Sequence, residues 1–144
     1  MSTKVLIIED DPSVALALRI RLVAAGYLVH HSSKGCTGIE DALKLRPDVI
    51  VLDILLPDMD GFEVCSTIRG YDELAQSKVM FHTVHAQPAF RKCAEEAGCD
   101  LFLPKKHGTA GVLQGIKSLL DRGRRASDRP PTAAPTGTQR EECA

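Results

Sequence analysis

The segment VIVLDILLPDMDG, residues 49–61, begins as an unbroken run of apolar residues and then reaches a carboxylate at Asp53. Pro57 and Gly61 break the pattern further along. A strand with one face in water alternates apolar and polar residues, whereas a strand of a parallel sheet covered on both faces is apolar nearly throughout. The run therefore predicts an interior strand of a parallel sheet, with an acidic side chain just beyond its carboxyl end.

Outward from this segment, short apolar runs alternate with helical patterns in both directions along the chain. Strands are predicted at VLII, YLVHHSS, DVIVLD, KVMFHT and DLFLP, each followed by a helix. Asp11 and Pro12 suit the N-cap and the first position of the first helix. Five such units imply right-handed crossovers and a parallel sheet covered by helices on both faces, which is an α/β doubly wound fold.

The last two predicted helices have recognisable inner faces, and the chain changes composition after them. The residues expected to face inward are Phe90, Cys93, Ala94 and Ala97 in the fourth helix, and Val112, Ile116, Leu119 and Leu120 in the fifth. From Asp121 onward Leu, Ile, Val, Phe and Met are absent, so this segment cannot bury enough surface to offset its ordering entropy. We expect one domain over residues 1–122, and over residues 123–144 a disordered tail or the stub of a linker.

Composition narrows the class of protein. The length of 144 residues fits one domain, and a net charge of -1 gives no electrostatic reason to expect nucleic acid or an acidic membrane as partner. No apolar stretch approaches the roughly 20 residues that span a bilayer, and the N-terminus does not resemble a signal peptide. The five cysteines form no CxxC pair, which suits a reducing compartment. We therefore expect a cytoplasmic protein.

Three acids stand at the ends of predicted strands. Glu9 and Asp10 follow the first strand, and Asp53 follows the third. In a doubly wound sheet, ligands bind beyond the carboxyl ends of the strands, and like charges gathered there disfavour one another's ionisation. If the two strands are neighbours, the three carboxylates converge on a site suited to Mg2+, which prefers oxygen ligands. The alternative is three independent surface acids at the starts of loops.

Two further side chains at strand ends suggest phosphoryl chemistry around Asp53. A carboxylate beside Mg2+ can act as a nucleophile, and phosphoryl transfer then needs positioning and charge compensation. Thr83 closes KVMFHT with a hydroxyl group, and Lys105 follows the fifth strand with an ammonium group. Alone, they would be a strand-end cap and a surface lysine, but together they favour one site. His82 should face the other side of its strand as a packed, hydrogen-bonded side chain.

The motifs IIEDDP, VIVLDILLPDMDG, FHT and GCDLFLPKK resemble those of the receiver domain of two-component response regulators, of the single-domain, chemotaxis-regulator-like kind. The resemblance covers roughly residues 3–122. It implies a flavodoxin-like sheet of five strands in the order 2-1-3-4-5, with five helices. It also implies that Asp53 accepts a phosphoryl group from a sensor histidine kinase or a histidine phosphotransfer protein. The implied Mg2+ ligands are Glu9 (through water), Asp10, Asp53 and the backbone carbonyl of Leu55.

The same resemblance implies a switch with no turnover chemistry of its own beyond self-phosphorylation and slow self-dephosphorylation. Lys105 pairs with Asp53 and then with the phosphoryl oxygen. Thr83 moves toward the phosphate, and Phe102 turns inward as it moves. The implied readout surface is the fourth helix, the fifth strand and the fifth helix, which would contact an unknown output protein. Whether a homodimer forms through the fourth and fifth helices stays open.

Four residues depart from the pattern of that family. Val84 stands where a very small residue is usual, and Leu55 stands where many relatives carry a polar side chain. We expect both to slow hydrolysis of the phosphoaspartate by obstructing in-line water, while His85 could orient a water and oppose this. Lys106 replaces a proline that follows a cis bond, so we expect a trans bond and a solvent-exposed ammonium.

Three other interpretations remain at this point. An aspartate-nucleophile phosphatase of the haloacid dehalogenase type would need a second acid at the position of Leu55. A degenerate receiver would act as a protein-interaction module without phosphorylation. The chain could also be the receiver fragment of a larger regulator.

Overall fold

Five parallel strands and five α-helices alternate along residues 2–125, which are the residues that this computed structural model describes. The elements are β1 Lys4–Ile8, α1 Pro12–Ala24, β2 Leu28–Ser32, α2 Gly35–Leu45, β3 Val49–Leu52, α3 Gly61–Arg69, β4 Lys78–Thr83, α4 Pro88–Glu96, β5 Leu101–Pro104 and α5 Gly108–Arg125. Short 3-10 turns occupy Asp72–Leu74 and Lys105–His107. None of the helices within this range combines the length and apolar character needed to cross a bilayer.

The strands form one sheet in the order β2-β1-β3-β4-β5, which confirms the predicted topology. Ile8 of β1 is the register partner of Leu52 in β3, and Leu52 is the register partner of Phe81 in β4. The carboxyl ends of these three strands therefore meet at the same edge of the sheet. Residues that directly follow the strands share that edge.

Apolar residues cover both faces of the sheet, as the unbroken apolar runs predicted. Leu6 and Ile8 enter the cluster on the side of α2, α3 and α4, whereas Val5 and Ile7 enter the cluster on the side of α1 and α5. All four residues of β3 are buried. The strand that carries the phosphoacceptor candidate is thus clamped between two layers, and rigid packing fixes the position of its end.

Two details differ from the sequence expectations. In α4 only Ala94 is fully buried and Cys93 is exposed, because this short helix lies on the sheet along a narrow stripe and residue 93 is rotated away from it. Val112, Ile116 and Leu119 of α5 are buried as predicted, and Leu120 is partly buried, but the helix continues past it to Arg125. Propagation of an existing helix adds one backbone hydrogen bond for each residue fixed. The predicted disorder of residues 123–144 lies, from residue 126 on, outside the described residues and stays a prediction.

Candidate functional site

Glu9, Asp10 and Asp53 converge at the carboxyl edge of the sheet. The backbone N–H of Asp53 donates to the carbonyl of Ile8 at 3.2 Å, which extends the β1–β3 pairing into the site. Glu9 and Asp53 are buried, Asp10 is exposed, and one carboxylate oxygen from each lies within 4.8 Å of the others. The predicted convergence of the three carboxylates is confirmed.

Lys105 reaches across the sheet edge to two of these acids. Its Nζ lies 2.6 Å from Glu9 Oε1 and 2.9 Å from Asp53 Oδ2. Burial alone would lower the pKa of Lys105, but its bonds to the two carboxylates outweigh burial and raise the pKa. The ammonium therefore remains charged at neutral pH.

One ammonium does not balance three carboxylates. Burial raises the pKa of Glu9 to about 7, with the charge of Asp53 adding to the effect and the contact with Lys105 opposing it. The remaining negative charge is what a divalent cation would neutralise, and the donors available are all oxygens. This donor set fits Mg2+, which binds a few carboxylates and keeps several waters.

The loop after Asp53 folds back over the strand end. Asp53 Oδ1 accepts a hydrogen bond from the N–H of Ile54 at 2.7 Å. The N–H of Gly61 donates to the carbonyl of Ile54 at 2.6 Å, and Leu55 pairs with Asp60 in an antiparallel bridge. A Cβ at Gly61 would lie 2.9 Å from Ile54 Cα and closer still to the carbonyl oxygen of Asp53, so only glycine permits this approach.

Thr83 lies fully buried at the end of β4, on the edge that sequence reasoning predicted. Its hydroxyl oxygen accepts a hydrogen bond from the N–H of His85 at 3.1 Å. Among residues 2–125 it forms no hydrogen bond with Asp53 or Lys105. The hydroxyl thus lies at the same edge of the sheet as the acids and is engaged in a local turn.

Phe102 of β5 points into the protein. Its side chain is buried, its ring centroid lies 6.3 Å from that of Phe81, and the guanidinium carbon of Arg91 lies 5.0 Å from that centroid. The resemblance implied that the ring of Phe102 turns inward in one state of the switch. In this structure the ring lies inward.

The residues that depart from the family pattern are mostly at the surface. Val84 is 69% exposed and Leu55 is 56% exposed, so both present large apolar groups to solvent beyond the carboxyl ends of β4 and β3. The half-buried His85 packs against Phe90, with 5.7 Å between ring centroids. Lys106 is exposed, and no peptide bond within residues 2–125 is cis, so the two expectations for Lys106 are confirmed.

His82 is packed, but the expectation that it is hydrogen-bonded was wrong. It is 4% exposed, and neither ring nitrogen has a hydrogen-bond partner within the described part of the chain. The alternation of β4 places it on the same side as Met80, whose surroundings are apolar. Burial lowers the pKa of His82 to about 4; nearby Lys105 lowers it further and Asp53 opposes this. The imidazole is therefore neutral at pH 7.

Sequence reasoning missed Asp58, whose carboxylate accepts hydrogen bonds from the N–H groups of Gly35 and Cys36 at the start of α2. The sequence did offer one signal that α2 needs a partner of this kind. The residue before α2 is Lys34, which offers no capping acceptor, so the helix needed a partner from elsewhere in the chain.

Comparison with protein families gives a match over residues 5–117 to the family described as the response regulator receiver domain. Solved structures are similar over most of the chain. A CheY-like response regulator receiver domain protein from Methanospirillum hungatei has a TM-score of 0.81 and 23% identity, covering 87% of this chain and 98% of its own. Chemotaxis response regulator CheY4 of Vibrio cholerae has a TM-score of 0.78 and 25% identity, covering 83% and 99%.

Curated relatives are similar in sequence but longer. The DNA-binding dual master transcriptional regulator RpaA of Synechocystis sp. is 35% identical over 131 residues, which are 91% of this chain and 53% of that protein. Response regulator MprA of Mycobacterium tuberculosis is 33% identical over 123 residues, 85% of this chain and 52% of that protein. The chain thus spans about half the length of these relatives.

Proposed function

The chain belongs to the response regulator receiver domain family, and from that premise we propose that it is a phosphoacceptor switch of a two-component system, with Asp53 as the phosphoacceptor. The observation that carries the proposal is the gathering of Glu9, Asp10, Asp53 and Lys105 at one edge of the sheet. A carboxylate nucleophile, a set of oxygen ligands for a metal and a fixed positive charge are the groups that phosphoryl transfer needs.

In this proposal Asp10, Asp53 and the backbone carbonyl of Leu55 would hold Mg2+, with Glu9 contributing through a bound water. When bound, the ion supplies positive charge for the phosphoryl oxygens. A carboxylate oxygen of Asp53 forms a bond to phosphorus as the phosphorus–nitrogen bond of a phosphohistidine breaks, and the electron pair of that bond returns to the imidazole. Lys105 stays charged throughout and moves its contact from the carboxylate to a phosphoryl oxygen.

The switch would begin at Thr83. Its hydroxyl, which accepts from the N–H of His85 in this structure, would donate its O–H to a phosphoryl oxygen. That contact exists only in the phosphorylated state, so it would shift a conformational equilibrium. Phe102, which already lies inward in this structure, would be held there once Thr83 bonds the phosphoryl oxygen and would communicate that state to α4, β5 and α5. That surface would contact the output protein, and through α4 and α5 it would also serve a homodimer.

The partner that supplies the phosphoryl group would be a sensor histidine kinase or a histidine phosphotransfer protein, and the setting would be the cytoplasm. The length of RpaA and MprA favours a second candidate, in which this receiver acts as one unit of a longer regulator whose other part provides the output. On the first candidate, by contrast, the receiver binds no nucleic acid itself, and its output is a protein contact.

Incubation with Mg2+ and a small acyl phosphate, followed by intact-mass measurement, tests the proposal. We expect one acid-resistant, base-labile phosphoryl adduct in the wild type and none in Asp53→Asn. Steady release of inorganic phosphate without an adduct would instead indicate a phosphatase. The absence of both would indicate a degenerate receiver that acts only as an interaction module.

A further inference from the structure

Helix α2 begins without a capping group of its own. Its N-cap residue is Lys34, in an extended conformation, and the side chain of Lys34 makes no capping hydrogen bond. The first N–H groups of a helix have no partner within the helix and need an acceptor from outside. At α2 that acceptor comes from the loop that follows the phosphoacceptor strand.

Asp58 at the tip of this loop supplies both acceptors. The N–H of Gly35 donates to Oδ1 and the N–H of Cys36 donates to Oδ2, each at 2.8 Å. Burial would raise the pKa of Asp58, but the hydrogen bonds from the backbone of Cys36 and Gly35 outweigh it and lower the pKa. The carboxylate therefore stays ionised and favourably placed at the positive end of the α2 dipole.

An apolar contact reinforces the same junction. A Cβ at Gly35 would lie 2.8 Å from Met59 Sδ and 2.9 Å from Val64, with Met59 Cγ nearer still. The side chains of Met59 and Val64 thus lie directly against the backbone of Gly35 at the start of α2. The tip of the loop is fixed to α2 by a polar contact and by an apolar contact.

The base of the loop is fixed separately. Leu55 pairs with Asp60, and the carboxylate of Asp60 accepts a hydrogen bond from the N–H of Glu63 at 2.9 Å, which caps α3. The loop therefore leaves Asp53 held at its base by α3 and at its tip by α2. The backbone of Leu55 forms part of the base attachment and stands three residues before Asp58 at the tip.

We propose that Asp58 is a positioning residue for the metal site: by anchoring the loop tip to α2, it holds the backbone carbonyl of Leu55 in the orientation that a cation shared with Asp53 requires. This inference rests on the proposed function, because that function makes Leu55 a ligand. Groups that orient metal ligands typically contribute a factor of 10–100 to metal affinity.

The test compares Asp58→Ala with the wild type in the full chain. Mg2+ affinity is measured by calorimetric titration, and amide exchange of Gly61 is measured without metal. In Asp58→Ala we expect the Mg2+ dissociation constant to rise about tenfold and exchange of the Gly61 amide to accelerate. Asp58→Asn should give values between those of the wild type and Asp58→Ala, because it keeps one acceptor oxygen. Asp72→Ala, which removes another exposed acid, should leave both measurements unchanged.

A second variant separates positioning from simple helix capping. Lys34→Ser gives α2 a capping hydroxyl of its own, so Asp58→Ala combined with Lys34→Ser should recover stability against urea while Mg2+ affinity stays weak. The inference would be overturned if the double variant recovered both stability and Mg2+ affinity, or if Asp58→Ala bound Mg2+ as tightly as the wild type. A wild type that binds Mg2+ but forms no adduct on Asp53 would refute the proposed function and leave the Asp58 comparison intact.

Discussion

His82 keeps an imidazole ring in the interior with both nitrogens unpartnered among residues 2–125. A buried polar group without a hydrogen bond costs about 1–3 kcal/mol. Its pKa is about 4 in the folded chain and 6.5 as the ordinary value, so below pH 6.5 the unfolded chain binds a proton that the folded chain does not. Stability from this residue is therefore lost as pH falls. Glu9, with its raised pKa, acts in the opposite sense over an overlapping pH range.

Replacing the ring isolates this effect. We expect His82→Leu, which is similar in volume, to be more stable than the wild type by about 1–2 kcal/mol at neutral pH. The difference should grow by about 2 kcal/mol as pH falls to about 5. Unfolding of the wild type is then favoured by protonation of His82, and the leucine variant has no such group. Urea unfolding at several pH values measures it, with the exposed His107→Leu as control. A difference that does not change with pH would mean that His82 titrates normally.

Val84 directly follows Thr83 at the end of β4. Its side chain is 69% exposed beside Thr83, where it can obstruct water approaching a phosphoaspartate. We expect Val84→Ala to shorten the phosphoryl lifetime by about a factor of two to five, a barrier change of less than about 1 kcal/mol. Loss of label from phosphorylated protein gives the lifetime, and Val23→Ala on α1 is the matched control. An unchanged or longer lifetime in Val84→Ala would contradict the obstruction.

At the scale of elements, Arg69 joins the end of α3 to the loops around β4 and β5. Its Nε donates to the carbonyl of Gly98 at 2.8 Å, Nη1 to the carbonyl of Ser77 at 2.8 Å, and Nη2 to Asp100 at 2.6 Å. Asp100 also accepts from the N–H of Val79 at 2.8 Å. One guanidinium therefore satisfies three acceptors on two separate segments, the loop before β4 and the loop before β5.

Removing this guanidinium should take the donor away from the carbonyls of Gly98 and Ser77 and leave Asp100 with only the N–H of Val79 from the described residues, in a largely buried place. We expect Arg69→Ala to lower the free energy of unfolding by about 3 kcal/mol. Arg69→Lys should recover only part of it, because an ammonium cannot reproduce the planar fork. Urea unfolding measures both, and Arg21→Ala at the exposed end of α1 should change little. Full recovery by lysine would show that charge alone matters and not the geometry of the fork.

Element patterns explain why so much of the fold was predictable. Strands covered on both faces must be apolar throughout, so the run at 49–52 identified β3 directly, and residues after parallel strands necessarily share an edge. The convergence of Glu9, Asp10 and Asp53 followed from that rule. Local pattern could not reveal the narrow contact of α4, which leaves Cys93 exposed, because helix orientation on a sheet depends on neighbouring elements.

Contacts between residues far apart in the sequence also limited how much of the site could be predicted. The capping of α2 by Asp58 joins positions far apart in the chain, and only the unsuitable N-cap Lys34 hinted at it. The unpartnered ring of His82 was unpredictable for a different reason. A strand pattern indicates which face a side chain occupies but does not indicate whether that face offers a hydrogen-bond partner.

For the whole molecule, the two core clusters lie on opposite faces of one sheet and share its strands. Neither cluster can unfold alone without exposing the strands that the other covers, so we expect a single cooperative transition. The metal site lies at the edge of that shared sheet, at the ends of β1 and β3. Binding there should therefore stabilise both layers equally, and not only the loops around the site.

The chain offers a direct measurement of this coupling, since it has no Trp and only two tyrosines, Tyr27 beside the α1/α5 cluster and Tyr71 beside the other. Fluorescence of Tyr27→Phe and Tyr71→Phe then reports each layer separately during urea unfolding. Above its dissociation constant, Mg2+ should add about 1.4 kcal/mol per tenfold increase in concentration, identically for both probes. Asp10→Asn should reduce this gain, and monovalent salt at equal ionic strength should not reproduce it. Different midpoints for the two tyrosines would mean that the layers unfold separately, whereas an equal gain from monovalent salt would mean that screening, not a bound ion, relieves the acidic cluster.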